Sequence, residues 1–386
     1  MKKIIAILIV ILIFIFPYNT YALEDDEFDY EKEISDILSQ YDFSSWQKLY
    51  NEETQNDIFT KSVDKLISDY ANGNDSFSLD NVAGFVVNSA KAELKRNSFI
   101  IILLVLISLI SGIAVSVLSD SDNKRLSETV SFVCCAASMS IITAIFSSLV
   151  TECVHTLDII SSLSQFVFPV LITMLTAIGS KSAGSIFSPL SLFLSTNVIA
   201  LFKGIIMPLI TGTSAIAIIN NMTGRVQLSN AEKMLKQTIK WIIGGMVTIY
   251  FGATALNGIN ASAIDSVSIR TAKYAIDKIV PYVGSMMSGT YDAVRGCACV
   301  IKNASGLASV LILFALILTP VIRIAMLSLS FKIVSAVCES VADKRLMKMI
   351  SDVSDLMGYL VGCILAAGAM FIITSGIIMA TGNSVF

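Results

Sequence analysis

The sequence predicts an all-α, polytopic integral membrane protein. It has about six to seven transmembrane helices plus re-entrant or interfacial helices, a probable internal repeat, and a small helical extracytoplasmic domain in front. Three observations predict this. Only 15% of the 386 residues are charged and 54% are hydrophobic, against about 25% charged in a soluble domain. The deficit is concentrated in uncharged runs, and those runs show no strand alternation.

The runs are long. Ser98–Leu118 has 21 residues, Thr129–Val150 and Ile159–Ser180 have 22 each, Trp241–Ile264 has 24, Asn303–Ile322 has 20 and Leu356–Phe386 has 31, while Ile186–Gly224 is interrupted only by Lys203. A helix needs roughly 20 apolar residues to cross a hydrocarbon core of about 30 Å. One such run fits inside a soluble fold; six or seven exceed what a chain of this length can hide. Helices and closed barrels alone satisfy the backbone in lipid.

Residues 1–22 read as a signal peptide. Lys2 and Lys3 precede the apolar run Ile4–Phe16, and Pro17 leads to Thr20-Tyr21-Ala22, the order of charged, apolar and cleavage regions. Residues 23–97 form the expected extracytoplasmic domain. Between 24 and 97 there are 17 Asp and Glu against 7 Lys and Arg, a balance that passes readily to the outside. Ile34, Ile37, Leu38 and Tyr41 share one helical face, as do Val63, Leu66, Ile67 and Tyr70. Ser78 is placed to cap a third helix burying Val82, Phe85, Val86 and Ala90, and Trp46 is read as core.

Residues 98–386 form the membrane domain, with spans near 98–118, 129–150, 188–219, 241–261, 303–328 and 356–380. Its prolines suggest a repeat. Pro169 to Pro208 and Pro281 to Pro320 are both 39 residues, and a shift of 112 superimposes the pairs. The basic linkers Asn123-Lys124-Arg125-Leu126, Glu232-Lys233-Met234-Leu235 and Asp343-Lys344-Arg345-Leu346 recur before apolar spans. Equivalent linkers lie on one side, which excess Lys and Arg makes cytoplasmic. The segment 157–180 is expected as a re-entrant helix or an extra span, and 268–300 as interfacial, each broken by its proline.

Candidate functional residues are few. Lys203 and Arg323 lie in or at the end of apolar stretches, where a charge faces a bundle interior, a pore, a partner or the interface. The single histidine, His155, stands between Glu152 and Asp158 at three-residue spacing and reads as a polar edge, since metal binding wants more nitrogen or sulfur ligands. The seven cysteines show no redox or zinc spacing, and read as small hydrophobes. Neither Gly-x-Ser-x-Gly, His-Glu-x-x-His nor a phosphate-binding Gly-x-x-x-x-Gly-Lys loop occurs. No catalytic residue, metal, cofactor or nucleic acid is expected. Gly244-Gly245, Gly252, Gly258, Gly284-Ser285 and Ser288-Gly289 suit close helix contact, within the chain or between subunits.

One stretch carries a family likeness. It runs Arg270-Thr271-Ala272-Lys273-Tyr274, Ile279-Val280-Pro281-Tyr282-Val283-Gly284-Ser285-Met286, Asp292-Ala293-Val294, Ile301-Lys302-Asn303-Ala304-Ser305-Gly306 and Thr319-Pro320. This resembles the stage III sporulation protein AE family of endospore formers, over nearly the whole chain in length, leader, acidic segment and apolar tail. The proline repeat, the charges in apolar stretches and this resemblance together mark Pro169, Lys203, Pro208, Pro281, Gly284, Asp292, Lys302, Gly306, Pro320 and Arg323 as candidate structural, pore or family-motif positions.

The same resemblance implies a multi-pass protein of the mother-cell membrane surrounding the forespore. It would be a non-enzymatic subunit of a sporulation-specific secretion or feeding channel required for late forespore gene expression. The implied partners are the other stage III sporulation A-set membrane proteins, with a separate cytoplasmic ATPase, ring-forming subunits and a forespore membrane protein in the intermembrane space, besides membrane lipid. The alternative is a secondary transporter or permease of a small solute, which a parallel repeat with broken helices also fits.

Overall fold

The computed structural model describes residues 30–53, 62–73, 79–118, 124–223, 228–279 and 284–382. Among them there is no strand. Three short helices, α1 (Tyr30–Leu38), α2 (Ser44–Glu53) and α3 (Val63–Ala71), precede α4 (Leu79–Leu118) and α5 (Lys124–Ala177). Helix α6 (Lys181–Leu192) continues through two π-helical stretches, Phe193–Val198 and Phe202–Ile206, into α7 (Met207–Thr223). The long helices α8 (Ser229–Ile279), α9 (Gly284–Cys338) and α10 (Lys344–Ala380) complete the chain. Among the described residues, six helical stretches are long and apolar enough to cross a membrane: Val82–Ala114, Glu128–Ala177, Thr196–Asn221, Ser229–Leu256, Ala293–Cys338 and Lys344–Ala380. This is a helical, multi-pass membrane fold.

The α9–α10 hairpin is its pillar, with α4 and α5 on one side and α7 and α8 on the other. Small and hydroxylated residues hold its seam. The Ser328 and Ser354 hydroxyls each donate to the other's carbonyl, at 2.9 and 2.7 Å. Ser309 and Ser375 hydroxyls lie 3.3 Å apart, and Gly306 leaves room for Met379, whose Cγ would sit 2.4 Å from an added Cβ. In lipid, where apolar surface gives no association force, such close packing and hydroxyl contacts do the holding. Tyr250 of α8 reaches the same seam through its hydroxyl, 2.6 Å from Thr374 Oγ1.

The turn ends of the helices gather at one end of the bundle. Ser131, near the start of α5, donates to Asp343, which caps α10 by accepting from the Arg345 N–H. Gly112, near the end of α4, lies so close to the α9–α10 turn that a Cβ would meet the Val341 carbonyl oxygen at 1.9 Å. The end of α7 and the start of α8 meet the first third of α10, through Asn221 and Lys236 on Asp352.

Three expectations change. The third N-terminal helix is not separate: residues 79–97 are the first turns of the 40-residue α4, and Val82, Phe85, Val86 and Ala90 are half-buried. Nothing interrupts the helix between the expected span at 129–150 and the expected re-entrant segment at 157–180. Helix α5 runs unbroken for 54 residues with Pro169 inside it, about 80 Å at 1.5 Å per residue. A buried proline turn costs about 3 kcal/mol, and here Val167, Phe168 and Leu171, all fully buried, offset that cost while the proline ring faces outward. Residues 268–300 are likewise not one interfacial helix; they divide between the end of α8 and the start of α9. Pro281 lies outside the described residues, as do the signal-peptide positions and Ser78.

The N-terminal helices belong to the bundle. Trp46 is fully buried, stacks edge-on against Phe43 with centroids 5.1 Å apart, and donates from Nε1 to the Phe166 carbonyl at 3.2 Å. That carbonyl lies in the turn before Pro169, next to the Gln165 carbonyl, which is the one the proline leaves without its helical N–H donor. Ahead of α2, the Ser44 side chain and N–H hydrogen-bond the Asp42 carboxylate and hold its pKa below the ordinary value.

Candidate functional site: paired charges between the long helices and a two-cation clasp

The charges that interrupt the apolar helices are paired between helices. Arg323 of α9 bridges Glu152 of α5 at 2.9 Å, with side chains 33% and 20% exposed. Lys203, in the second π-helical stretch, bridges Asp158 of α5 at 2.6 Å. Such stretches widen a helix locally and often mark functional positions. Toward the turn end, Lys236 of α8 bridges Glu232 at 2.6 Å and Asp352 of α10 at 2.9 Å. Asn221 of α7 donates to the second Asp352 oxygen and Asn220 to Glu232. Lys332 and Asp355 pair across the α9–α10 seam at 2.9 Å. Burying a charge in lipid is costly, so each of these has an opposite charge beside it, for all but Glu232 from a neighbouring helix.

A different arrangement stands at the opposite end. Helix α5 ends in a Schellman turn: Ser180 N–H donates to Leu175 O, Gly179 N–H donates to Thr176 O, and Gly179 has φ 94°. Helix α10 ends before Gly382, at φ 87°. Two cations of α9 reach these ends. Arg295 donates from Nε to Ile178 O at 3.0 Å and from a terminal nitrogen to Gly382 O at 3.2 Å. Lys302 donates to Met379 O at 2.9 Å and to Thr381 O. The last carbonyls of a helix lack partners within it and carry the negative end of its dipole. Cations at that place satisfy both demands.

The sequence-marked positions therefore separate. Lys302 and Gly306 sit on the clasp side of the seam, both buried. Lys203 and Arg323 join the ion pairs. Pro208 is the second residue of α7 and follows directly on the second π-helical stretch, and Pro320 lies deep within α9. Gly284 opens α9, and Asp292 lies in its third turn. The trio around His155 does not act together: Glu152 and Asp158 turn to Arg323 and Lys203, and exposed His155 lies 3.8 Å from Glu53. Among the described residues no group of side chains is arranged to hold a metal ion, and all seven cysteines are buried and free. Gly244, Gly245 and Gly252 have no atom within 4 Å of where a Cβ would stand, so they do not pack closely against the described residues.

Sequence reasoning missed Arg295 and the acidic partners. Glu152 and Asp158 are the available signal, as carboxylates flanking apolar runs, but hydropathy divides at residue 150 the helix that brings them to Arg323 and Lys203.

Comparison with known proteins places the chain. The family model described as Stage III sporulation protein AE matches residues 61–382. The Stage III sporulation protein AE of Bacillus subtilis (strain 168) is 24% identical over 233 residues, which cover 60% of this chain and 58% of that protein. No solved structure matches.

Proposed function

This chain belongs to the stage III sporulation protein AE family, and on that premise we propose that it is a non-enzymatic membrane subunit of a secretion or feeding channel between mother cell and forespore. It sits in the mother-cell membrane around the forespore, and late forespore gene expression depends on it. The other stage III sporulation A-set proteins are its partners: a separate cytoplasmic ATPase supplies energy, and ring-forming subunits and a forespore membrane protein complete the passage between the membranes.

The observation that carries this reading is the family match, which extends from α3 past the end of α10. Two further features support it. The chain has no phosphate-binding loop of its own, which fits an ATPase carried by a separate partner. Several of its described ionisable groups within the long helices are engaged in ion pairs or in carbonyl contacts, as suits a scaffold. Deleting the gene during sporulation should abolish a late forespore reporter while engulfment completes, and re-expression should restore it. Normal late reporter activity in the deletion strain overturns the proposal.

One observation favours a second reading. The ion pairs bring more ionisable residues together between the helices than the sequence suggests, and such groups also mark solute and proton pathways. A secondary transporter would move a small solute into liposomes holding this chain alone; a channel subunit would not.

A further inference from the structure

We propose that Arg295 and Lys302 form a latch that closes the end of the bundle opposite the α9–α10 turn, holding the last turns of α5 and α10 onto α9. The two residues are seven apart on α9, two helical turns, and so share a face. Arg295 is 4% exposed and Lys302 is fully buried. Arg295 bridges two helix ends at once, Ile178 O after α5 and Gly382 O after α10. Lys302 takes two more carbonyls of the α10 end, and the Cys299 thiol, between them on α9, points to Gly382 O at 4.0 Å.

The site is built for this closure. A side chain at Gly382 would meet Ser180 Oγ at 3.2 Å, Leu175 Cδ1 at 3.4 Å and Lys302 Nζ at 3.6 Å. Only a residue without Cβ adopts its φ without strain, so the chain turns tightly and brings its carbonyl to Arg295. Carbonyls at a buried helix end have no water to fall back on. Replacing a cation by an apolar side chain therefore leaves several carbonyls unmatched at once, and the cheapest relief is to swing the last turn of α10 outward. Below the latch the α9–α10 seam has its own serine pairs and packed glycines, so the opening is local. The turn that Arg295 grips also begins α6 and the π-helical path to Lys203, and release of the latch frees both together. The latch stands whichever transport reading holds.

The experiment uses the full-length protein purified in detergent and alkylated with N-ethylmaleimide, each cysteine followed by mass spectrometry. Cys297 and Cys299, 2% and 5% exposed, lie between the two latch residues on α9; Cys153 and Cys363, fully buried, report on the seam. In Lys302→Met and Arg295→Met, Cys297 and Cys299 should label about tenfold faster or more, a local stability loss worth 1.4 kcal/mol per tenfold. Cys153 and Cys363 should keep their wild-type rates. Gly382→Ala keeps both cations but displaces the carbonyl, and should open the same pair; it decides the matter if the Met variants do not fold. Unchanged labelling of Cys297 and Cys299 in the variants that fold overturns the latch, and so does equal acceleration of all four cysteines, which would mean that the residues hold the whole fold.

Discussion

Truncating Trp46 tests whether the N-terminal acidic segment is part of the membrane bundle. The indole is fully buried between α2 and α5. Removing roughly 200 Å² of aromatic surface from water contributes up to about 5 kcal/mol at 25 cal/mol per Å². Trp→Ala changes in cores cost about 3–5 kcal/mol. The edge-on contact with Phe43 accounts for about 0.5–1.5 kcal/mol of that, and the bond to Phe166 O for a similar amount. The loss falls on α1–α3, whose own core holds few other large side chains, chiefly Phe43, Tyr50, Leu66 and Ile67. Trp46→Ala should therefore release this segment while α4–α10 stay folded. Tryptic cleavage after Lys48 and Lys65, both exposed, should accelerate about a hundredfold, since 3 kcal/mol is about two decades in the open population. Trp46→Phe keeps one aromatic ring and loses the pyrrole half with its N–H; it should accelerate cleavage less, about fivefold to tenfold. In a Trp241→Phe background Trp46 is the sole tryptophan and its emission should be that of a buried indole. Wild-type cleavage rates in Trp46→Ala, or the emission of a water-exposed indole, would refute the reasoning.

Two other perturbations separate the charge pairs from the packing. Glu152→Gln and Arg323→Met should each lower stability by about 1–2 kcal/mol, less than the 3–5 kcal/mol of a fully buried pair because Arg323 keeps a third of its side chain exposed; the double variant should recover part of the loss in a thermal-shift cycle, and strict additivity would count against the pair. Gly112→Ala drives a Cβ to 1.9 Å from the Val341 oxygen and should cost about 1–3 kcal/mol or more, whereas Gly244→Ala, with open space around it, should be neutral or gain up to about 1 kcal/mol from helix propensity. Equal melting temperatures for these two alanine variants would contradict the packing described for α4.

Particular residues mark how far the sequence reaches. Hydropathy alone located the helical, membrane-spanning class, because twenty uncharged residues have no other stable home than lipid or a large core. The pattern Val63, Leu66, Ile67 gave a true buried face, and Trp46 is the core residue expected. Hydropathy also divided α5 at residue 150, since Glu152 and Asp158 look like a loop when their partners are unseen. Pro169 looked like a break, since the three buried neighbours and the outward ring that let a helix keep it are properties of packing.

The sequence by itself determined the medium of this protein, its helical class and, through the stretch from Arg270 to Pro320, its family. Only the tertiary structure decided which charges meet, that a lysine and an arginine of α9 satisfy the ends of two other helices, and that the N-terminal helices are anchored to α5. The physical reason is range. Hydrophobicity and periodicity are local properties written within twenty residues, whereas a buried charge is neutralised by whichever distant helix the fold lays beside it, 171 positions away for Glu152 and Arg323.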